Sequence, residues 1–228
     1  MTVNSSARIA DIGEAIGAVR SRIAEACARV NRDPRDVRLI AATKLVASER
    51  VAAAAAAGLT DFGENYVQEL EEKRGAAPDA TWHFIGRLQR NKVARLLESA
   101  DVVQTLEPGA ATDLLERLAA EKPSPTFCLV EVDFTGRRVG VAPDSLRWFL
   151  EEIAHRPGLR VTGLMTLPPL GEDPRPYFAR LRELREDAAE VAPDVRELSM
   201  GMTSDYEVAI EEGATMIRVG TAIFGPRP

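Results

Sequence analysis

The chain has 228 residues, 45% of them hydrophobic, and carries a formal net charge of −6. This length is enough to bury one large core, so we expect residues 1–228 to form a single domain. The acidic balance and the lack of a basic, aromatic-interleaved stripe argue against a nucleic-acid partner, and the lack of a long apolar run or signal core argues against a membrane partner.

The first predicted element is a helix over residues 7–30, which Asn31-Arg32-Asp33-Pro34 ends. Its apolar stripe recurs at steps of three and four residues and consists of Ile9, Ile12, Ile16, Val19, Ile23 and Ala26. Eight short β-type segments follow and alternate with helical ones. The predicted strands cover residues 37–43, 60–63, 81–86, 102–106, 126–132, 159–166, 195–200 and 216–220. The predicted helices lie near residues 48–57, 65–74, 90–99, 110–121, 144–155, 174–190 and 204–212.

Two helices carry recognisable end signals. Ser48 as N-cap and Gly58 just beyond the last turn frame the alanine-rich helix near residues 48–57. The last helix begins with Ser204-Asp205-Tyr206-Glu207, which has the pattern of a capping box.

Strict alternation of strands and helices predicts a parallel sheet. Eight strands in about 190 residues, with no composition break, favour an α/β fold in the form of a single (β/α)8 TIM-type barrel with an extra N-terminal helix. The alternative is an open Rossmann-like sheet, but no Gly-x-Gly-x-x-Gly follows the first strand.

Chemistry in such a barrel is built at the carboxyl ends of the strands, so residues that end the first, seventh and eighth strands should meet on one face. Lys44 ends the first strand, and an amine in this position is suited to Schiff-base chemistry. Arg218, Gly220 and Thr221 at the end of the last strand offer a cation, backbone N–H groups and a hydroxyl to an anion. A reactive lysine beside a phosphate site is what pyridoxal phosphate requires.

Each of these residues also has a plainer interpretation. Lys44 is also typical of a solvated strand end. Arg218 lies within an apolar strand, where an unpaired cation would cost several kcal/mol, so it needs a partner. That partner is an anion or a hydrogen-bond acceptor, and one possibility is an internal salt bridge with Glu197 or Glu131.

Further polar residues follow other strands. Thr203 and Thr221 can serve as helix N-caps, as part of a phosphate site, or as both. Asn65, after the second strand, can line a ligand ring. His83, in the third strand, is either a pocket residue or a core histidine with satisfied hydrogen bonds.

Metal chemistry is not expected from this sequence. His83 and His155 are the only histidines, and neither has a Cys, His or carboxylate at metal-ligand spacing. Cys27 and Cys128 fall within a helical and a strand pattern, so we expect both to be reduced and buried in a cytoplasmic protein.

Six segments together resemble the signatures of the pyridoxal phosphate homeostasis protein family, and they span nearly the whole chain. They are residues 42–44 (ATK), 62–69 (FGENYVQE), 82–86 (WHFIG), 163–165 (GLM), 198–205 (LSMGMTSD) and 218–225 (RVGTAIFG). The family is similar to the N-terminal domain of alanine racemases. Its members are single barrels that hold pyridoxal phosphate as a lysine aldimine and buffer or deliver it.

The resemblance implies that Lys44 is the Schiff-base lysine. It places Arg218 near the pyridine nitrogen or the phosphate, and Met165 close to the ring. An arginine at the pyridine nitrogen would leave that nitrogen unprotonated and weaken the ring as an electron sink, which suits a carrier. The cofactor-binding residues expected in all are Lys44, Asn65, His83, Met165, Ser199, Thr203, Arg218, Gly220 and Thr221.

The chain departs from the family's usual pattern at several positions. Lys44-Leu45-Val46-Ala47 stands where many members have Lys-Thr-Lys-Pro, Arg87 stands where many have His, and Thr203 stands where Ser is usual. Residues 132–140 look more like a stretch of the alanine racemases. That similarity suggests that Arg138 reaches the cofactor's phenolic oxygen, although a solvated basic turn fits as well.

Three functions fit these residues. The first is a cofactor carrier without catalytic residues, acting as a monomer and delivering pyridoxal phosphate to apo-enzymes. The second is an amino-acid racemase-like enzyme, which would need a proton donor opposite Lys44, from Tyr66, Tyr177 or Tyr206. The third is a phosphosugar-binding barrel in which Lys44 makes only ionic contacts.

Overall fold

Eight parallel strands close into a barrel, in which each strand pairs with the next along the chain and the last pairs with the first. The computed structural model describes the backbone of residues 3–226 and the side chains of residues 11–226. The strands are β1 (Arg38–Ala42), β2 (Asp61–Glu64), β3 (Thr81–Phe84), β4 (Val102–Leu106), β5 (Thr126–Val132), β6 (Leu159–Thr166), β7 (Glu197–Ser199) and β8 (Met216–Val219). The predicted barrel is confirmed, and the open Rossmann-like alternative is wrong.

A helix precedes the barrel and further helices follow its strands. They are α1 (Val3–Arg29), α2 (Ser48–Ala56), α3 (Val67–Arg74), α4 (Val93–Ser99), α5 (Ala110–Ala119), α6 (Leu146–Ala154), α7 (Arg175–Ala188), α8 (Tyr206–Glu211) and α9 (Thr221–Phe224). Short 3-10 turns occupy Pro34–Asp36, Arg90–Lys92 and Pro143–Ser145. The prediction missed α9, because a four-residue helix is too short to show a hydrophobic period.

The predicted helix caps agree with the structure at one of three positions. Gly58 has φ +86° and Leu59 donates to the Ala54 carbonyl, so the glycine ends α2 as predicted. Ser48 is not the N-cap but the first residue of α2. The N-cap is Ala47, which makes no side-chain cap hydrogen bond.

The predicted capping box at Ser204 is also wrong. The helix α8 begins at Tyr206 and its N-cap is Asp205. The Asp205 carboxylate instead accepts a hydrogen bond from the backbone N–H of Met202, at 2.6 Å. This competing local bond closes the loop after β7 rather than the first turn of the helix.

The extra helix α1 covers one side of the barrel by packing on α2, α8 and α9. Its stripe behaves as predicted at Ile12, Ile16, Val19 and Ile23, which are buried. The side chain of Ile9 lies outside the described residues. The stripe joins the main core, which lies between the outer face of the barrel and the helices.

A second, smaller apolar group fills part of the barrel interior and consists of Ile40, Leu129, Met165 and Met216. Cys27 and Cys128 are buried and unpaired, and burial raises the pKa of both thiols. Among the described residues, no helix has both the length and the apolar character needed to cross a membrane.

Candidate functional site

Strand register brings the predicted site residues to one end of the barrel. Ala41 of β1 pairs in register with both Phe62 of β2 and Val219 of β8. Lys44 and Thr221 follow these paired positions closely and therefore lie at the same end of neighbouring strands. This end, formed by the segments after β1, β2, β7 and β8, is the barrel mouth.

Lys44 lies half-buried at the mouth. Its Nζ is 4.9 Å from the centroid of the exposed Tyr66 ring, within range of a cation–π contact. The next residue, Leu45, has φ +61°, a left-handed conformation that is unusual for a leucine. Its N–H donates to Glu69 Oε2 at 2.8 Å. Lys44 therefore begins a strained but hydrogen-bonded turn.

Beneath this turn lies a buried ionic cluster that the sequence analysis did not predict. Lys73 Nζ donates to Glu64 Oε1 at 2.6 Å, to Glu69 Oε2 at 2.5 Å and to the Thr43 carbonyl at 2.7 Å. Thr43 Oγ1 also donates to Glu64 Oε1, at 2.7 Å. Burial raises the pKa of Glu64, and this outweighs the hydrogen bonds from Lys73 and Thr43.

Arg218 of β8 is almost fully buried, as its place in an apolar strand predicts. Its Nη1 donates to Ser199 Oγ at 2.6 Å and its Nη2 to the Thr166 carbonyl at 2.9 Å. Burial lowers the pKa of this guanidinium to about 10. In the described structure Arg218 forms no ion pair within 4.0 Å with Glu197 or Glu131, so the direct salt bridge is not formed, and Glu131 acts on Arg218 only as a nearby charge.

A chain of hydrogen bonds continues from Arg218 through the barrel interior. Ser199 Oγ donates to Gln104 Oε1 at 2.6 Å, and Gln104 Nε2 lies 3.0 Å from His83 Nδ1. His83 Nε2 lies 3.0 Å from Asp61 Oδ1. The chain thus links β8, β7, β4, β3 and β2 in turn.

This chain decides between the two interpretations of His83. The ring is fully buried, and both of its nitrogens have partners within the protein. His83 is therefore a satisfied core residue in this structure rather than a residue that faces the mouth directly. The Ser199 hydroxyl is also satisfied within the protein, because it donates to Gln104 and accepts from Arg218.

The loops after β7 and β8 supply the predicted anion-binding groups. Thr203 Oγ1 accepts only a long hydrogen bond, 3.5 Å, from Ala222 N–H. In the described part of the chain, the backbone N–H groups of Thr203 and Thr221 donate no hydrogen bond within the protein. Unused donors on two adjacent loops are the groups that a phosphate would accept from, so the residues present fit such a ligand.

Gly220 brings the last strand close to the first. A Cβ at this position would lie 3.1 Å from the Ala42 carbonyl oxygen, so the glycine allows the turn after β8 to approach the end of β1. Through this contact the Thr221 turn lies next to the end of β1, two residues before Lys44.

The remaining predicted residues lie around these groups. Asn65 is half-buried after β2, and Met165 belongs to the apolar group inside the barrel. Arg87 and Arg138 are exposed, and the backbone N–H of Arg138 donates to Asp133 Oδ2 at 2.9 Å. The solvated basic turn is therefore the arrangement that this structure shows for Arg138.

Glu131, near the carboxyl end of β5, was expected from the sequence only as an ion-pair partner of Arg218. It is 5% exposed, on β5, in register with Met165 of β6. Burial raises its pKa to about 7, against the opposing charges of Arg138 and Arg218. A carboxyl group that titrates near neutrality is typical of a functional site.

The sequence contained partial signals for the residues it missed. Gln104 interrupts the apolar strand Val102–Leu106, and Lys73 follows Glu69 by four residues. The spacing indicates the Glu69–Lys73 pair, but neither signal indicates the contacts of Gln104 with His83 and Ser199 or those of Lys73 with Glu64 and Thr43, because they join different elements. Within the described residues, no group of three or more His, Cys, Asp or Glu side chains is placed to hold a metal ion.

The fold and the mouth define a parallel eight-stranded barrel of the alanine racemase type. Residues 15–228 match the family model described as the alanine racemase N-terminal domain. The crystal structure of alanine racemase from Corynebacterium glutamicum shares the fold at a TM-score of 0.71 and 15% identity, over 96% of this chain and 62% of that one.

More similar relatives carry another name. A pyridoxal phosphate homeostasis protein of Aquifex aeolicus is 40% identical over 222 residues, which cover 94% of this chain and 97% of the relative. The human protein of that name is 35% identical over 238 residues, covering 95% and 86% of the two chains. The structure of PipY from Synechococcus elongatus, with PLP bound, has a TM-score of 0.83 and 35% identity, over 94% of this chain and 100% of that one. The chain belongs to the pyridoxal phosphate homeostasis protein family.

Proposed function

We propose that the protein binds pyridoxal 5'-phosphate at the barrel mouth, holds it covalently through Lys44, and buffers it or delivers it to apo-enzymes. The observation that supports this proposal most is the placement of Lys44 after β1, beside β8, whose following turn carries the unused N–H donor of Thr221, with that of Thr203 on the loop after β7. The names of its relatives and the PLP-bound state of PipY support the choice of ligand.

The cofactor would supply an aldehyde, with which the Lys44 amine condenses to a Schiff base with loss of water. Thr203, Gly220 and Thr221 would bind the phosphate through backbone N–H groups and hydroxyls. Asn65 and Met165 would flank the ring. Lys44, in the turn after β1, would reach the ring from beside the phosphate loops.

Arg218 favours a carrier over an enzyme. Two of its five N–H donors are used by Ser199 and Thr166, which leaves donors for a pyridine nitrogen. A guanidinium donates a hydrogen bond but does not readily give up a proton, so the pyridine nitrogen would stay unprotonated. The ring would then be a poor electron sink, and substrate carbanions would gain little stabilisation.

The covalent link can be tested with purified protein, added pyridoxal phosphate and borohydride. Lys44→Ala is the test variant, and Lys122→Ala is its matched control. Lys122 pairs with Glu98 at the surface. The wild type and Lys122→Ala should develop a visible Schiff-base band, and peptide mass analysis should find the reduced adduct on Lys44. An equal band in Lys44→Ala would show that the proposed lysine is wrong.

Delivery needs a separate test, because binding alone does not establish it. The loaded protein would be mixed with an apo pyridoxal phosphate enzyme in the presence of a scavenger that removes free cofactor. Activation of the apo-enzyme despite the scavenger would support direct transfer. Activation that the scavenger abolishes would mean that the protein only releases cofactor into solution.

We also propose that the chain acts as one barrel domain and as a monomer. Many of its surface helices carry mixed-charge ion pairs, such as Arg175 with Glu211 and Glu212. Light scattering should then give a mass near 24.8 kDa. Twice that mass would contradict the monomer.

A racemase-like activity is the second candidate, favoured by the position of Tyr66 beside Lys44. Tyr206 is buried and Tyr177 binds Glu172 on an exposed surface, so Tyr66 is the tyrosine seen next to the lysine. Interconversion of D- and L-alanine faster than with free cofactor, and its loss in Tyr66→Phe, would support this activity.

A further inference from the structure

The turn after Lys44 holds a conformation that its sequence does not favour. Leu45 has φ +61°, where the side chain of an L residue is strained. The leucine side chain is 55% exposed, so little buried packing compensates for this strain. Polar contacts to the turn must therefore maintain it.

One of those contacts lies within the turn, where the Val46 N–H donates to the Thr43 carbonyl at 2.8 Å, and the others come from one face of α3. Glu69 Oε2 accepts the Leu45 N–H at 2.8 Å, and Lys73 Nζ binds the same carboxylate at 2.5 Å. Lys73 also donates to the Thr43 carbonyl at 2.7 Å. The residues on both sides of Lys44 are thus tied to the same helix.

The burial of this cluster shows that it is more than a surface ion pair. The side chains of Lys73 and Glu64 are 5% and 0% exposed, and Glu69 is 20% exposed. Burying charges is costly, and an apolar group of similar volume would usually serve the core as well. The cost of burying these charges is explained if they fix the backbone on both sides of Lys44.

We propose that Glu69 and Lys73 are positioning residues for Lys44: together they hold the turn after β1 in its strained form and so present the lysine amine at the barrel mouth. This inference rests on the proposed use of Lys44 to bind pyridoxal phosphate. Neither residue touches the cofactor in this scheme, and both act through the backbone of Thr43 and Leu45.

The first test uses Glu69, whose partial exposure makes its replacement tolerable. Glu69→Ala should weaken the affinity for pyridoxal phosphate about tenfold, the size expected for a lost left-handed conformation. Glu69→Gln should stay close to wild type, because an amide oxygen still accepts the Leu45 N–H. Glu71→Ala is the matched control, since Glu71 lies on the same helix but pairs with Arg95.

A second variant asks whether the backbone of Leu45 is the link. Glycine adopts positive φ without strain, so Leu45→Gly in the Glu69→Ala background should restore most of the lost affinity. The double variant Glu64→Gln/Lys73→Met removes both buried charges together, and Leu45→Gly should rescue it in the same way. A failure of glycine to rescue either background would overturn the inference.

The turn can also be followed without cofactor. Amide hydrogen exchange at Leu45, measured by NMR, should be slow in wild type and Glu71→Ala and faster in Glu69→Ala. If Lys44→Ala binds cofactor like wild type, the proposed function fails while the exchange result stands. If Lys44 forms the adduct but Glu69→Ala and its exchange match wild type, the positioning role alone is wrong.

Discussion

Arg218 and Asp61 are the two charged ends of one chain of hydrogen bonds across the barrel interior. A guanidinium only donates and an ionised carboxylate only accepts, so each link must point from Arg218 towards Asp61. Ser199 then donates to the Gln104 oxygen, Gln104 donates to His83 Nδ1, and His83 donates from Nε2. The chain satisfies buried polar groups from one charged end to the other, while the carboxylate charge that acts most on Arg218 is that of Glu131.

Cutting this chain at its centre should destabilise the barrel. Gln104→Met keeps the volume of the side chain but leaves the Ser199 hydroxyl proton without an acceptor and His83 Nδ1 without a donor. We expect the free energy of unfolding in urea to fall by about 2–4 kcal/mol, the penalty for two unsatisfied buried groups. Gln89→Met, at an exposed position, is the control and should change little. A loss no larger than that of the control would mean that the chain does not stabilise the fold.

Most of the architecture could be predicted from the sequence, because strand ends, helix periods and turns are local patterns. Lys44 at the end of β1 and the Thr221 turn after β8 were assigned to one face from the alternation alone, and the register places them there. Arg218 was predicted to need a partner for the same local reason. Its partners, Ser199 and the Thr166 carbonyl, could not be predicted, because they lie on other strands.

The parts that could not be predicted depend on contacts between distant segments. Gln104 contacts His83 and Ser199 only because the barrel is closed, which brings side chains of three strands, β3, β4 and β7, together in its interior. The hydrogen bond from Lys73 to the Thr43 carbonyl joins α3 to the segment after β1, 30 positions earlier. The capping prediction at Ser204 failed because the Asp205 carboxylate accepts the Met202 N–H, a contact within the loop that the capping-box pattern does not indicate.

The pKa of Glu131 should make the stability of the apo-protein depend on pH. Its folded-state pKa of about 7 lies above the ordinary 4.5, so the folded state binds the proton more tightly than the unfolded chain does. The contribution is therefore most favourable below about pH 4.5, falls as the pH rises towards 7, and levels off above it. The charged groups that act on it are Arg138, Arg218, Glu107 and Asp133.

Glu131→Gln should remove this dependence. The shift corresponds to about 3 kcal/mol at most, so the variant should gain about 2 kcal/mol more over wild type at pH 8 than at pH 5. Urea unfolding at the two values measures the difference. Glu98→Gln, on the surface with a side chain 77% exposed, serves as the control. A constant difference between Glu131→Gln and wild type would refute the raised pKa.

The backbone at Gly201 should not tolerate a side chain. Its φ is +92°, and a Cβ would lie 2.6 Å from Ala209 Cβ and 2.9 Å from Tyr206 Cα. Gly201→Ala should therefore lower the unfolding free energy by roughly 2–4 kcal/mol, from left-handed strain and overpacking together. Gly75→Ala, where a Cβ meets nothing within 4 Å, should be neutral or stabilising. Equal melting temperatures for the two variants would contradict this account.

Gly220→Ala should separate stability from ligand binding. The φ of −113° suits alanine, but the new Cβ would lie 3.1 Å from the Ala42 carbonyl oxygen and would push the end of β1 away by a few tenths of an ångström. We expect a loss of less than about 1.5 kcal/mol in stability, as for mild overpacking. The dissociation constant for pyridoxal phosphate should rise severalfold, because Lys44 and the Thr221 turn move apart. Tight binding that survives the substitution would show that the spacing of β1 and β8 does not set the affinity.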